Sequence, residues 1–317
     1  MKNQIFRAKT VLIAGAFAGF FGPAVHAQSY DQSSIYNGIG TPFALGQGNS
    51  AIVNAYSQAV ANNACVPTAT ADGLAYLEAY QQSIGQGTPF SSTPNSYPTV
   101  NTLIADMGTT SSGTTTTGQL NGLYNYLSAT APGVTISGQV APLEATMASF
   151  YGSGSFNSGY AANIQAANPT AQYLYSALSG NGAVQLGLLW GSYNSVAGTF
   201  TSTGGHEVDL ESINTSTKAM TFLDPWGSTT GNAGTSGLLG VGATYTNITL
   251  SGSSYTLVYF NNPPPDGDRT GGTEFGFPTA ATALILDDTV EIVPEPTVLT
   301  LLGGGTLAML ARFRRKS

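Results

Sequence analysis

A thiol becomes a nucleophile when a neighbouring base takes its proton, and a helix N-terminus helps because its free N–H groups and dipole stabilise the anion. The sequence holds one cysteine, Cys65, and two histidines, His26 and His206. His26 falls in a leading segment that reads as removable, so the body keeps one thiol and one imidazole. Cys65 stands where a helix is expected to start. His206 follows Gly204-Gly205 and opens a segment in which His206, Val208 and Leu210 alternate with Glu207, Asp209 and Glu211. That period of two reads as a strand with His206 on its apolar face.

A third group follows from hairpin geometry. Asn214 to Lys218 reads as a turn and Ala219 to Leu223 as the returning strand. With Ile213 opposite Ala219, Val208 faces Asp224 and His206 faces Trp226. Diagonal neighbours in a sheet lie about 7–8 Å apart, within reach of longer side chains. Asp224 is therefore placed to orient the imidazole, as the third member of a triad does, and Trp226 to shield that contact from water.

The elements around these residues divide into two groups. Ile52 to Val60 reads as a short helix and Cys65 to Ile84 as a firm one, with Pro67 in its first turn, Leu74, Leu77 and Tyr80 at helical spacing and Gly85 at its end. Val100 to Met107, Gln119 to Leu127, Leu143 to Phe150 and Thr170 to Leu178 are further helical candidates. Gly108 to Gly118 is Ser/Thr/Gly-rich and reads as a mobile loop. After them come strand signals: Val184 to Trp190, His206 to Ile213, Ala219 to Leu223, and the pair Tyr245 to Leu250 and Tyr255 to Phe260. Ala283 to Val293 reads as a last strand or a spacer. Helices first and strands second predict an α+β fold in two lobes, with Cys65 on the helical lobe and His206 and Asp224 on an antiparallel β lobe.

Three segments carry a family resemblance. Asn63-Ala64-Cys65-Val66-Pro67-Thr68-Ala69, continued by Gly73-Leu74-Ala75-Tyr76-Leu77, resembles the active-site helix of papain-fold cysteine peptidases of the bacteriocin-processing-peptidase-like branch, whose motif is Cys-Gly-Pro-Thr. Gly205-His206-Glu207-Val208 resembles that branch's Gly-His strand, and Asp224-Pro225-Trp226-Gly227 its Asp-Pro-Trp-Gly turn. The order fits as well, with His206 141 residues after Cys65 and Asp224 18 after His206. The resemblance spans about residues 50 to 260. It implies a papain-like domain over 50–262, with Cys65 as nucleophile, His206 as general base and acid, and Asp224 as orienter. Two departures stand out. Val66 replaces the glycine after the cysteine, where it would crowd the cleft or alter the backbone donors. The oxyanion-hole glutamine has no residue at its expected place six before the cysteine, and Gln58 and Asn62 are the candidates for its role, Gln58 slightly preferred.

The two ends read as export and sorting signals. Lys2, Arg7 and Lys9 precede an apolar run from Val11 to Phe21, then small residues to Ala27. This is the pattern of a secretory signal peptide cut by signal peptidase after Ala27, and the run is shorter than the roughly 20 residues that span a bilayer. At the other end Pro294-Glu295-Pro296 leads into an apolar stretch to Ala311 and the basic Arg312-Phe313-Arg314-Arg315-Lys316-Ser317. The flank of basic residues places the tail's end on the cytoplasmic side. Triplet, apolar helix and basic end resemble the PEP-CTERM sorting signal of Gram-negative bacteria. It implies membrane anchoring through the C-terminal segment, processing by an exosortase, and delivery to the cell surface or extracellular matrix. Residues 28–49 read as an extended lead-in and 263–293 as a linker or last strand before the 294–317 tail.

Between those ends, residues 28–293 contain two basic residues, Lys218 and Arg269, against fifteen acids, a formal charge of −13. Such a body does not bind nucleic acid, whose affinity rests on Lys and Arg meeting phosphates. The acidic surface and the acids along the His206 strand would favour basic substrates. A single cysteine excludes an intramolecular disulfide. There is no His/Cys cluster for a metal, and Asp266-Gly267-Asp268 and Asp287-Asp288 lack EF-hand spacing and read as solvated turns. Gly231 to Gly242 lacks a phosphate-loop lysine. The chemistry expected is hydrolysis of peptide or amide bonds without a cofactor. A non-catalytic matrix or surface protein on the same fold, and transpeptidation through the same acyl-enzyme, remain the alternatives.

Overall fold

The computed structural model describes residues 29–32, 44–141, 156–194, 196–197, 199–227, 233–250, 252–260 and 283–294. The signal segment, the Leu143 to Phe150 helix candidate, Asp266-Gly267-Asp268, and Glu295 and Pro296 with the apolar tail lie outside them. The described residues form a mixed α/β structure compatible with the α+β class: six helices and a nine-stranded mixed sheet. The helices are α1 (Ser50–Ala55), α2 (Gln58–Ala61), α3 (Cys65–Ser83), α4 (Tyr97–Met107), α5 (Thr116–Thr130) and α6 (Ala171–Ser179). The strands are β1 (Ser29–Asp31), β2 (Val134–Val140), β3 (Ile164–Ala166), β4 (Ala183–Asn194), β5 (Thr199–Asn214), β6 (Ala219–Asp224), β7 (Leu238–Leu250), β8 (Ser253–Phe260) and β9 (Ala283–Pro294).

Six strands close on themselves. β5, β6, β7, β8, β9 and β4 pair antiparallel in that order, and β4 pairs back onto β5. Closure removes the open edge that a flat sheet would present. One apolar cluster gathers Val184, Leu186, Leu188, Val208, Leu210, Phe222, Tyr245 and Val258 with Leu174 and Leu178 of α6. Its strand residues sit at alternate positions, so this is the inward file of the ring. β2 extends the sheet from β9, and β1 adds to the far end of β5.

A second cluster holds α3 to α5 together and takes in Ala183, Leu223, Val290 and Ile292 from the outside of the ring. α3 lies between the two groups. Val66 to Leu77 are all buried, which explains a helix without one clear apolar face. Gly73 allows its close approach to the ring: a Cβ there would stand 3.1 Å from Asp209 Oδ1 and 3.4 Å from Ala183 Cβ.

Several expectations change. The Ile52 to Val60 helix is two helices: Tyr56 caps the end of the first, and Ser57 caps the start of the second, its side chain accepting from Val60 N–H. Gly108 to Gly118 includes a hydrogen-bonded turn, with Thr110 and Gly113 bridged and the Thr109 and Thr114 hydroxyls 2.6 Å apart, rather than a loose loop. Residues 44–49 belong to the body: Leu45 N–H donates to Asp72 and Gln47 N–H to Pro225 O. β9 pairs with β2, β4 and β8 and is not a spacer.

Candidate active site

The N-terminus of α3 carries no side-chain cap; Ala64 stands at the capping position. The first N–H groups of a helix have no intrahelical acceptor, so they are left for another anion. The Cys65 sulfur, half-buried at the first helical position, takes this place and accepts from Val66 N–H. Val66 keeps that donor, and its side chain packs into the helical core rather than filling the cleft. The departure from glycine therefore leaves this donor in place.

β5 brings two groups to the same sulfur. The His206 side chain hydrogen-bonds it, and the next residue along the strand, Glu207, donates its backbone N–H. His206 is 5% exposed and sits at the end of the inward file of β5, opposite Leu188 of β4. Its Nε2 lies 2.8 Å from Asp224 Oδ1, which leaves Nδ1 as the ring nitrogen for Cys65. Asp224 Oδ1 also accepts from Trp226 N–H at 2.9 Å. Asp224 is 1% and Trp226 7% exposed, so the contact is closed to bulk water.

The register that sets this contact differs from the simple hairpin. Next to the turn Asn214 faces Ala219 and Ile213 faces Met220, one residue off the expected pairing of Ile213 with Ala219. A bulge at Glu211 then restores the expected alignment, so that Asp209 faces Leu223 and Asp224 comes level with Val208. The Asp-Pro-Trp-Gly turn is fastened from two sides. Gln47 N–H donates to Pro225 O, and Gly234 N–H to Trp226 O at 2.7 Å. Gly227 has φ +55°, and a Cβ there would meet Ser236 O at 1.6 Å, so only glycine fits.

Electrostatics favour separated charges. Burial alone pushes the Cys65 thiol up, but the hydrogen bond and charge of His206, with the two backbone donors, outweigh it and hold the thiol below its ordinary value. Burial pushes the His206 imidazole down, yet Asp224 and Cys65 carry it well above its usual range. Each shift stabilises a thiolate beside an imidazolium.

Gln58 and Asn62 meet each other. The exposed Gln58 donates from Nε2 to Asn62 Oδ1 at 2.8 Å, and Ala233 N–H donates to the same oxygen at 3.2 Å. Two donors thus fix the carbonyl end of Asn62. Pro294 ends β9, its backbone paired with Val134.

Sequence reasoning missed the part played by Glu207 and the fate of the acids on β5. Glu207, Asp209 and Glu211 are 2%, 0% and 1% exposed, Glu207 and Asp209 against the helices and Glu211 against Gly240 of β7, so they do not line a surface for basic substrates. Gln119 of α5 donates to Glu207 Oε1 at 2.8 Å. Asp209 lies close to Asp72 of α3, and burial first, then each other's charge, push Asp209 well above the usual carboxylate range. The period-two pattern identified their common face but not that helices cover Glu207 and Asp209. No group of three metal-ligating side chains is found among the described residues, and no described helix is long and apolar enough to cross a membrane.

Compared with models of protein families, with curated proteins and with solved structures, the chain matches none.

Proposed function

We propose that this chain is an exported thiol hydrolase of papain-like, two-lobed design that cleaves peptide or amide bonds through Cys65, His206 and Asp224. The observation that carries the reading is the chain of contacts from the half-buried Cys65 sulfur through the His206 ring to Asp224, at the junction of a helix N-terminus and a closed antiparallel ring. In this reading the Cys65 thiolate attacks the substrate carbonyl, and the carbonyl π electrons move to oxygen. The Cys65 backbone N–H and a side-chain amide stabilise that oxyanion. We assign the amide to Asn62 in preference to Gln58, because the Gln58 amide nitrogen is already engaged on Asn62 Oδ1. The tetrahedral adduct collapses, the C–N bond breaks, and His206 gives its proton to the leaving amine. His206 then takes a proton from water, the hydroxide attacks the thioester, and acid and Cys65 are released. Asp224 holds the imidazole throughout.

The termini complete the proposal. Signal peptidase would release the chain after Ala27. The tail beginning Pro294-Glu295-Pro296 would hold it at the membrane until an exosortase sends it to the surface or matrix.

The test is the rate of Cys65 alkylation by iodoacetamide from about pH 4 to 9 in the purified protein and its His206→Ala variant, against a free-thiol pKa of about 8.5. Rapid alkylation at low pH that the variant loses is expected. Slow alkylation that rises only near the free-thiol value and ignores the substitution would leave the non-catalytic surface-protein reading in its place.

A further inference from the structure

Glu207 reaches the nucleophile and the helical group at once. Its backbone N–H, one residue beyond His206, donates to the Cys65 sulfur. Its side chain leaves the opposite face of β5, is 2% exposed, and accepts from Gln119 Nε2 at 2.8 Å. Gln119 is itself 2% exposed and lies in the first turn of α5, a helix whose Leu120, Leu123 and Leu127 are buried in the helical core. A carboxyl buried here without a partner would cost more than the bond returns, so the contact fixes one geometry. Cys65 belongs to the helices and His206 to the ring, and their separation depends on how α3 sits against β5. The Gln119–Glu207 bond ties the ring to a second helix beside the reacting pair.

We propose that Glu207 is a positioning residue for the nucleophile: Gln119 holds its side chain, and this fixes the strand whose N–H and imidazole converge on Cys65. The role rests on the thiol–imidazole reading above. It does not require Glu207 to touch substrate.

The experiment is iodoacetamide alkylation of the purified protein, read as the ratio of rates at about pH 5.5 and 9.5, which tracks the thiolate fraction independently of overall reactivity. Gln119→Met keeps the bulk and removes the donor. It is expected to lower the ratio about tenfold, the scale of one lost net hydrogen bond. A folded Gln119→Met protein with the wild-type ratio and only a lower melting temperature overturns the proposal. If that variant does not fold, Gln119→Asn, one methylene shorter, carries the same expectation and the same refutation. Failure of the underlying reading looks different: the wild-type protein would then show no low-pH reactivity that His206→Ala removes.

Discussion

Asp224 Oδ1 accepts two hydrogen bonds, from His206 Nε2 and from the backbone N–H of Trp226 two residues on. The second bond orients the carboxylate before any substrate arrives. It also dictates what an amide would do in its place. In Asp224→Asn the Trp226 N–H still selects an oxygen, so the side-chain carbonyl keeps facing His206 and the ring keeps its tautomer while the charge is lost. The expected fall in low-pH alkylation of Cys65 is about tenfold for Asp224→Asn and at least about a hundredfold for Asp224→Ala. Equal effects of the two substitutions would show that orientation contributes nothing beyond charge.

Val66 invites reversion to the glycine of the peptidase motif. Its side chain is 7% exposed and part of the helical core. Val66→Gly removes that packing and adds the backbone entropy of glycine within a helix. A loss of about 2–4 kcal/mol is expected, with no gain in thiol reactivity. Denaturant melts together with the alkylation rate check both halves.

The buried acids make stability depend on pH in a definite direction. Burial, the largest cause, raises the Glu211 carboxyl to about 7, against Gly240 N–H and Thr221, which lower it. The folded protein therefore binds more protons than the unfolded chain between about pH 4.5 and 7, and stability from this group falls as pH rises through that window. Glu211→Gln should gain on wild type across the window and then level off, on the order of 3 kcal/mol at most. A gain independent of pH would mean that ionisation of Glu211 is not the cost. The thiol and imidazole add little above about pH 7: thiolate with imidazolium holds the same number of protons as thiol with neutral ring until the free thiol itself ionises near 8.5.

Asn62 and Gln58 separate cleanly by substitution. Asn62→Ala removes the assigned oxyanion donor and should lower turnover of an amide substrate about a hundred- to thousandfold, while leaving alkylation of Cys65 within a few-fold. Gln58→Ala, at an exposed position, should change turnover less than tenfold. The reverse ranking returns the donor role to Gln58.

How much of this was legible beforehand differs by residue. Cys65, His206, Asp224 and Trp226 were each placed by local signals: a helix start, a period of two, and a hairpin turn. The structure gathers all four. The register was harder, since an alternation of apolar residues cannot show that Glu211 is a bulge. The expected pairing fails at Ile213 and succeeds at Asp209 for that reason. β2 escaped notice because Ser137, Gly138 and Gln139 break its apolar run. What makes it a strand is its pairing with β9, about 150 residues away in sequence. The Gln119–Glu207 bond links side chains 88 residues apart, and nothing local announces it.

β9 ends at Pro294, whose backbone is paired with Val134. The proposed sorting triplet therefore begins inside the sheet, and only Glu295 and Pro296 separate the end of β9 from the apolar stretch at Thr297. An extended chain spans at most about 3.6 Å per residue. Before processing, the ring would thus be tethered almost flush with the lipid, able to reach only what lies along that surface. Processing near the triplet, beyond Pro294, would change the protein's territory from two dimensions to three while leaving every strand of the ring in place.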